Sequence, residues 1–496
     1  MKRIKPTTSV AIHALALTML AGCAVGPDFK RPDAPHADRY TAQSLKLEAK
    51  AAGDASAQQA ILGEQLDQAW WQLFRSDALN GVVKRALAQN RSIAAARYTL
   101  AQAQEMAAAQ AGSLYPQVGM TAGVGREKYG DEFLGTSPKP PAFTYFAVGP
   151  TISYTLDYTG GGARSVEQQY ALANYQRQQL DAAYLAVTGN AVMQSLRIAS
   201  LRAQIATVQT LLEQDRENQK LVHAAFDAGA VSRLDIVSAD SQLAGDTAQL
   251  PPLRQELSLA QHALAIVLGQ APADATLPEL DLAQLTLPRD LPVSLPSELA
   301  HRRPDILAAE EELHAATAAV GVATSNLYPH ISLNAAFGQQ STVVGQLFAG
   351  GNSAWSLTGG LVVPIFDGGT LRAERRAAID AMQASAAKYQ QTVLTAFGQV
   401  ADSLQALDHD AEALDAQTHA QQAARDNLDL TRNSYREGNI GVLQVLDAER
   451  RYQQASLAYV RARAQRYMDT AQLFLALGGS RPEVDTPPVQ GTTHSD

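Results

Sequence analysis

Apolar side chains recur in alternating steps of four and three from Leu180 onward: Tyr184, Val187, Ala191, then polar Gln194, then Ile198, Leu201, Ile205, Val208 and Leu212. A 3.5-residue period marks a helix that packs along a left-handed supercoiled seam. The run that carries it, Gly161 to Phe226, has 66 residues and would span about 99 Å at the helical rise. That is far beyond an ordinary globular helix, so the pattern predicts a coiled-coil element. Val393, Phe397, Val400, Leu404, Leu407, Ala411 and Leu414 write the same seam a second time.

Ahead of each long helix the period switches from 3.5 to 2. Val118, Met120, Ala122 and Val124 alternate with Gln117, Gly119, Thr121 and Gly123. Phe146, Val148, Ile152 and Leu156 alternate with Tyr145, Gly149, Thr151, Ser153 and Thr155. Further on, Ile331, Leu333, Ala335 and Phe337 alternate with Ser332, Asn334 and Ala336. Trp355, Leu357, Leu361, Val363 and Ile365 alternate with Ser356, Thr358 and Gly360. Four strands with one apolar and one small or polar face follow. Alternation alone fits a soluble half-buried sheet as well as a transmembrane barrel. Tyr115, Tyr145, Phe146, Tyr328, Trp355 and Phe366, near segment ends, suit aromatic girdles. The connectors Gly130–Ala142 and Ser341–Asn352 are rich in turn residues and read as external loops.

The chain is written twice. Ser113-Leu114-Tyr115-Pro116-Gln117-Val118 returns as Asn326-Leu327-Tyr328-Pro329-His330-Ile331, 213 residues later. Phe226-Asp227-Ala228-Gly229 matches Tyr435-Arg436-Glu437-Gly438, and Leu268-Gly269 matches Leu477-Gly478, each 209 residues later. Ordered matches at nearly one offset predict an internal tandem duplication. Each copy reads as a leading helical run (about 76–113 and 299–327), two strands, a long helix, a glycine turn and a return helix. The boundaries become a signal peptide at 1–22, a lead-in at 23–75, repeat 1 at 76–269, a Pro-rich linker at 270–298, repeat 2 at 299–481 and a disordered tail at 482–496. Pro251-Pro252 inside the first return helix should kink or interrupt it.

Composition narrows the setting. The 496 residues hold no long uninterrupted apolar stretch after the extreme N-terminus, which excludes a polytopic helical membrane protein. A single cysteine excludes a disulfide scaffold and any Cys-cluster metal site. A net charge of −9 argues against a nucleic-acid partner. Lys2, Arg3 and Lys5 precede an apolar Val10–Leu20 and then Leu20-Ala21-Gly22-Cys23, a secretory signal whose end resembles a bacterial lipobox. On that reading Cys23 is the mature N-terminus and carries a diacylglycerol and an N-acyl chain; no other cofactor is expected. Ala24 after the cysteine points to the outer membrane, by analogy with bacterial lipoproteins. Cleavage removes three positive charges and takes the net charge from −9 to −12. More than one acyl chain makes the anchor stable.

That address tips the four strands toward a barrel, and the bilayer then demands an oligomer. Four strands alone leave two edges of unsatisfied backbone groups, which hydrocarbon does not tolerate. Two chains give eight strands and a filled interior; three give twelve, wide enough for a lumen. The long helices must leave the side opposite the connectors, projecting about 100 Å into the periplasm.

Three motifs then resemble one family. Val25-Gly26-Pro27-Asp28-Phe29-Lys30-Arg31-Pro32, His301-Arg302-Arg303-Pro304-Asp305-Ile306 and Pro364-Ile365-Phe366-Asp367-Gly368-Gly369 are similar to signatures of the outer-membrane factors. The likeness is to the TolC/OprM superfamily, and within it the NodT-type efflux lipoproteins. The resemblance implies an α+β membrane protein: a homotrimer whose twelve-stranded transmembrane β-barrel, four strands per chain, continues as an α-helical coiled-coil periplasmic barrel. It also implies docking to a periplasmic adaptor (a membrane fusion protein) and an inner-membrane pump, commonly of the resistance-nodulation-division (RND) class. The turns Gly229, Ala230, Val231 and Ser232, and Gly438, Asn439, Ile440 and Gly441, are the expected adaptor-docking sites. In OprM-like relatives residues matching Leu443, Asp447 and Arg450 line a closed periplasmic aperture. Their spacing places all three on one helix face. The aligned positions of copy one are Leu234, Ser238 and Ser241, so charge gating is expected from copy two alone.

Enzymatic signatures are missing. The ten histidines never form H-x-x-x-H, so no zinc-hydrolase or other metal site is expected. Gly160-Gly161-Gly162 lacks the rest of a P-loop, and Ser385-Ala386-Ala387-Lys388 lacks the companion motifs of penicillin-interactive enzymes. The expectation is a passive, gated trans-periplasmic conduit for drugs or other small molecules, with no enzymatic activity. The alternatives are a TolC-like exit duct for type I protein secretion and a non-conducting structural envelope lipoprotein.

Overall fold

A computed structural model describes residues 25–32, 39–41, 58–67, 69–129 and 141–479. The signal segment, Cys23, most of the connector at 130–142 and the tail at 482–496 lie outside the described residues.

In chain order the elements are β1 (Gln59–Leu62), α1 (Asp77–Gln89), α2 (Arg91–Gly112), β2 (Gln117–Glu127), β3 (Phe143–Leu156), α3 (Gly161–Asp227), α4 (Arg233–Thr247) and α5 (Leu250–Val267). There follow β4 (Asp290–Val293), α6 (Pro296–Leu299), α7 (Pro304–Ser325), β5 (His330–Ser341), β6 (Ser353–Val362), α8 (Thr370–Arg436) and α9 (Val442–Ala476). Both long helices, α3 and α8, have 67 residues. Both α2 and α7 have 22. The described residues fall into two compact units, one drawn from within 1–32, 100–176 and 308–389, the other from within 33–99, 177–307 and 390–496.

The first unit holds a four-stranded antiparallel sheet in the order β2-β3-β5-β6. Its register joins four separate sequence patterns into one surface. Val118 pairs Ile152 and Val124 pairs Phe146; Ile152 pairs Ala335 and Leu156 pairs Ile331; Ala335 pairs Leu357 and Phe337 pairs Trp355. Directly opposed residues share a face, so the apolar members of all four strands lie together. Gln117, Thr121, Thr151, Ser153, Ser332, Asn334, Ser356 and Thr358 lie on the other face by the same pairing. The apolar face is uncovered: Met120 is 74% and Trp355 77% exposed. Strand β6 ends at Val362, so Val363 and Ile365 fall beyond it. Among the described residues no helix is long and apolar enough to cross a membrane.

The second unit is a helical bundle whose core is the expected seam. Leu180, Tyr184, Val187, Ala191, Ile198, Leu201, Val208 and Leu212 are buried, as are Val393, Val400, Leu404, Leu407, Ala411 and Leu414. Trp70, Phe74 and Phe474 cluster at one end of it, with ring centroids 5.7 to 6.4 Å apart. Each such side chain withdrawn from water contributes about 1.5–3 kcal/mol.

Two expected helices are divided. The leading run at 76–113 breaks at Asn90, whose side-chain oxygen accepts from the amide of Ser92 at 2.8 Å and so caps α2. Its side-chain nitrogen donates to the Val267 carbonyl at 2.8 Å, tying that break to the end of α5. In the second copy the leading run shortens to α7. The first return helix is interrupted at Ala248–Gln249, and Pro251 and Pro252 enter the first turn of α5, where a missing amide proton costs little. The Pro-rich stretch at 270–298 contains β4, which pairs in parallel with β1 of the lead-in. Its Leu291 and Val293 are fully buried. Runs of four residues are too short to announce themselves by period.

Candidate functional site

The two turns that reverse the long helices are built alike. At the end of α3 the amide of Ala230 donates to the Ala225 carbonyl and that of Gly229 to Phe226, both at 2.8 Å. At the end of α8, Asn439 donates to Ser434 and Gly438 to Tyr435, both at 2.9 Å. This pair of bonds is the Schellman closure of a helix, and it requires a left-handed residue. Gly229 and Gly438 each have φ of +74°. The starts of the return helices differ. Ser232 and Asp235 form a reciprocal capping box, which holds the Asp235 carboxyl below its usual range through its bonds to Ser232. Gly441 offers no side chain to cap α9.

The expected docking residues separate into two groups. Gly229, Ala230, Ser232, Gly438, Asn439 and Gly441 are exposed. Val231 packs with Ile236 and Tyr435 on a buried cluster of Val222, Ala239, Val442 and Leu446. That cluster binds the ends of α3, α4, α8 and α9 to one another. Ile440 is half-buried beside Leu443.

Just past the second turn, Leu443, Asp447 and Arg450 line one groove of about 1020 Å³ between α3, α4 and α9. Ser238 and Ser241, the neutral counterparts from the first copy, line the same groove. Asp447 accepts from Arg450 at 2.5 Å and from Arg451 at 2.8 Å. The carboxylate is therefore clasped by its own helix from two sides. Arg451 was not among the expected aperture residues, although its i, i+4 spacing from Asp447 signals the contact.

Against this groove lies a buried polar cluster, of which Asp246 and Gln453 also line the groove. Asp215 of α3, Asp246 of α4, and Glu449 and Gln453 of α9 are all under 8% exposed. Glu449 receives Arg432 of α8 at 2.7 Å and the amide of Asn218. Burial, and then the neighbouring Asp246, push the Asp215 carboxyl up to about 7. Extending the seam beyond Leu212 by its next step of three lands on Asp215. That is the signal that would have found it.

In the first unit the segment that opens with Val25 is strapped down. The amide of Val25 donates to the Thr159 carbonyl at 3.0 Å. Gly26, with φ of +96°, lies so near Gly321 that a Cβ would stand 2.5 Å from its Cα. Asp28 pairs with Arg164, and Phe29 stacks on His314 with centroids 4.3 Å apart. Arg31 reaches Glu310 at 2.6 Å. The Ser385–Lys388 motif is accounted for in the same unit: the Lys388 amine is held by both Glu312 oxygens, at 2.9 and 2.6 Å.

Among the described residues no group of three or more histidine, cysteine or acidic side chains is placed to hold a metal ion. What the site offers is a glycine-turned tip, a groove with a clasped carboxylate, and a buried acidic cluster that meets the groove at Asp246.

Comparison with known proteins agrees with this architecture. The chain is 30% identical over 479 residues to the toluene efflux pump outer membrane protein TtgC of Pseudomonas putida, covering 95% of this chain and 96% of that one. It is 31% identical over 421 residues to the pyoverdine export outer membrane protein OpmQ of Pseudomonas aeruginosa, covering 83% and 87%. The solved structure of the outer-membrane channel OprN superposes with a TM-score of 0.81 at 28% identity, covering 93% of this chain and 100% of that one. The family model for outer membrane efflux proteins matches residues 82–270 and 295–479. With both of its halves matched, the chain belongs to the outer membrane efflux protein family.

Proposed function

We propose that three copies of this chain close a twelve-stranded barrel in the outer membrane and form the exit channel of a tripartite efflux pump. The observation that carries this reading is the sheet. Its apolar side chains share one uncovered face, and β2 and β6 each have a single strand neighbour among the described residues. Hydrocarbon accepts such a sheet when its edges are paired with those of other copies, and twelve strands leave a lumen. Cys23 carries the lipid that holds the mature N-terminus at the membrane. The glycine turns meet a periplasmic adaptor, and an inner-membrane pump, of the RND class, supplies the energy. Leu443, Asp447 and Arg450 narrow the periplasmic entrance under threefold symmetry. Small organic compounds are the cargo, in keeping with the names of relatives such as the toluene and pyoverdine exporters.

The test has two parts. Light scattering of detergent-purified protein should give three copies per particle, and planar-bilayer recording should give discrete conductance steps. A folded single copy with a sealed sheet, or a trimer that never conducts, would overturn the reading. Deleting the gene should raise drug susceptibility; unchanged susceptibility with lost protein secretion would favour a secretion duct instead.

A further inference from the structure

Asp215 has no part in the glycine turns and does not line the groove, yet it is 3% exposed at a seam position of α3. Asp246, 7% exposed, stands in the last turn of α4, directly before the break at Ala248–Gln249. Two carboxyl groups in one dry site cannot both keep full charge, so such a pair holds a proton between them.

The surrounding donors say which member holds it. Asp246 accepts from Gln242 at 2.5 Å and, from inside the break, from Gln249 at 2.7 Å. With its nitrogen turned toward Asp246, the Gln453 side chain of α9 donates to the same carboxylate at 3.0 and 3.3 Å. Its oxygen then faces Asp215 Oδ1 across 3.3 Å, a contact that requires a proton on Asp215. The other oxygen, Oδ2, is buried and meets no donor. The donors serve Asp246, and the proton belongs on Asp215. The remaining charged group that faces Asp215 is Glu449 of α9, itself engaged by Arg432 of α8.

We propose that Asp215 and Asp246 form a proton-operated latch. Protonated, the pair clips the end of α4 to the long helix α3; deprotonated, the two charges repel and the last turns of α4 part from α3, while the cluster of Val222, Ala239, Val442 and Leu446 holds its other end. The joint keeps the motion local: Ala248 and Gln249 hold right-handed helical dihedrals, but Pro251 and Pro252 have no amide protons to give back to the end of α4. Helix α4 joins α5 through two residues outside both helices, whereas its counterpart α9 runs 35 residues unbroken. Asp246 sits at that joint, seven residues beyond Ala239 of the apolar cluster. The bond from Gln249, inside the joint, to Asp246 ties the carboxylate that docks on α3 to the joint itself.

The sign follows from the raised value of about 7 against an ordinary 3.8. Asp215 is mostly protonated at about pH 6 and almost fully ionised at about pH 8.5. The latch is therefore closed in mild acid and opens through neutrality. The latch itself stands apart from the channel reading; its consequence for conduction rests on that reading.

Hydrogen exchange of the purified full-length protein, corrected for the intrinsic chemical rate, tests it. Amides of α4 should lose about tenfold protection between about pH 6 and about pH 8.5, while those of α5 hold steady. Asp215→Asn keeps a donor toward Asp246 at every pH, so its α4 should stay protected and flat. Asp246→Asn, which removes the second charge, should flatten the profile as well and serves if the first variant misfolds. Protection of wild-type α4 that ignores pH, or a pH profile that survives in either variant, overturns the latch. Bilayer conductance at the same two pH values separates the ideas: conductance that stays flat while α4 exchange shifts supports the latch and removes the groove from control of flow.

Discussion

Arg303 donates its Nη1 proton to the main-chain carbonyl of Ala476 at 2.8 Å, so the residue that opens the second copy closes its last helix. The same guanidinium holds both oxygens of Asp305, at 3.0 and 2.8 Å, and the Gln399 side chain at 2.7 Å. Gly478 fits beside it because a Cβ there would stand 2.9 Å from Arg303 Cγ. In the first copy Asn90 and Gly269 make the corresponding closure on α5. The Arg-Pro-Asp motif is thus a structural brace. Arg303→Ala leaves the Ala476 carbonyl and the Gln399 amide without their buried partner and should cost about 2–4 kcal/mol. Denaturant unfolding followed by helical circular dichroism reads it. Arg303→Lys, which lacks the planar fork, should recover a minor part.

Asp447→Ala should leave stability almost unchanged. Its two partners and the carboxylate itself are each more than a third exposed, and such pairs are worth about 0–1 kcal/mol. Conductance is the sensitive readout. Freed of the carboxylate, Arg450 and Arg451 no longer lie along α9, and in the proposed trimer three copies of each would repel across a shared axis. The single-channel current of purified trimers should rise, whereas Ser238→Ala, on the neutral side of the groove, should leave it unchanged.

The strap at residues 25–32 should loosen with rising pH. The carboxylate of Glu311, and then that of Glu167, hold His314 above its ordinary 6.5 against the opposing effect of burial. The folded strap therefore binds the proton more tightly than the free chain does. Its extra hold is complete below about pH 6.5 and fades as pH climbs through the higher folded value. Charged imidazole also favours the face of Phe29 stacked on it. Limited proteolysis within residues 25–32 should accelerate on going from about pH 6 to about pH 8.5. His314→Gln should show the faster rate at both.

Much of this was legible because two physical periods are hard to counterfeit. A seam that must face a partner for tens of residues repeats every 3.5 positions, and a sheet with one greasy face repeats every two. Val118, Ile152, Ala335 and Leu357 lie far apart in sequence, yet each was placed on the apolar side before any register was known. What escaped had no period to carry it. The break at Asn90 is a single side chain choosing a cap over another turn of helix. The ladder between β1 and β4 spans four residues on each strand. Asp215 was hidden by its type: the seam rule puts it inside, but a carboxylate inside makes sense only with Asp246, which the hinge brings to it from another helix.

The two faces of the sheet give the sharpest test of the barrel. Leu357 pairs with Ala335 on the apolar face, and its neighbour Ser356 pairs with Ala336 on the other. If hydrocarbon covers the first face, Leu357→Arg places a charge in lipid at a cost of about 2–4 kcal/mol near the bilayer midplane. Ser356→Arg places the same charge in water and costs almost nothing. The first variant should fail to assemble into a heat-resistant trimer on a semi-native gel. The second should assemble normally and add three positive charges to the lumen, which lowers the cation preference of the open channel in a salt gradient. A soluble half-buried sheet predicts the same order of cost, because its apolar face would pack on protein, but there neither variant would alter ion selectivity. One residue of displacement along β6 thus separates a wall facing lipid from a wall facing water.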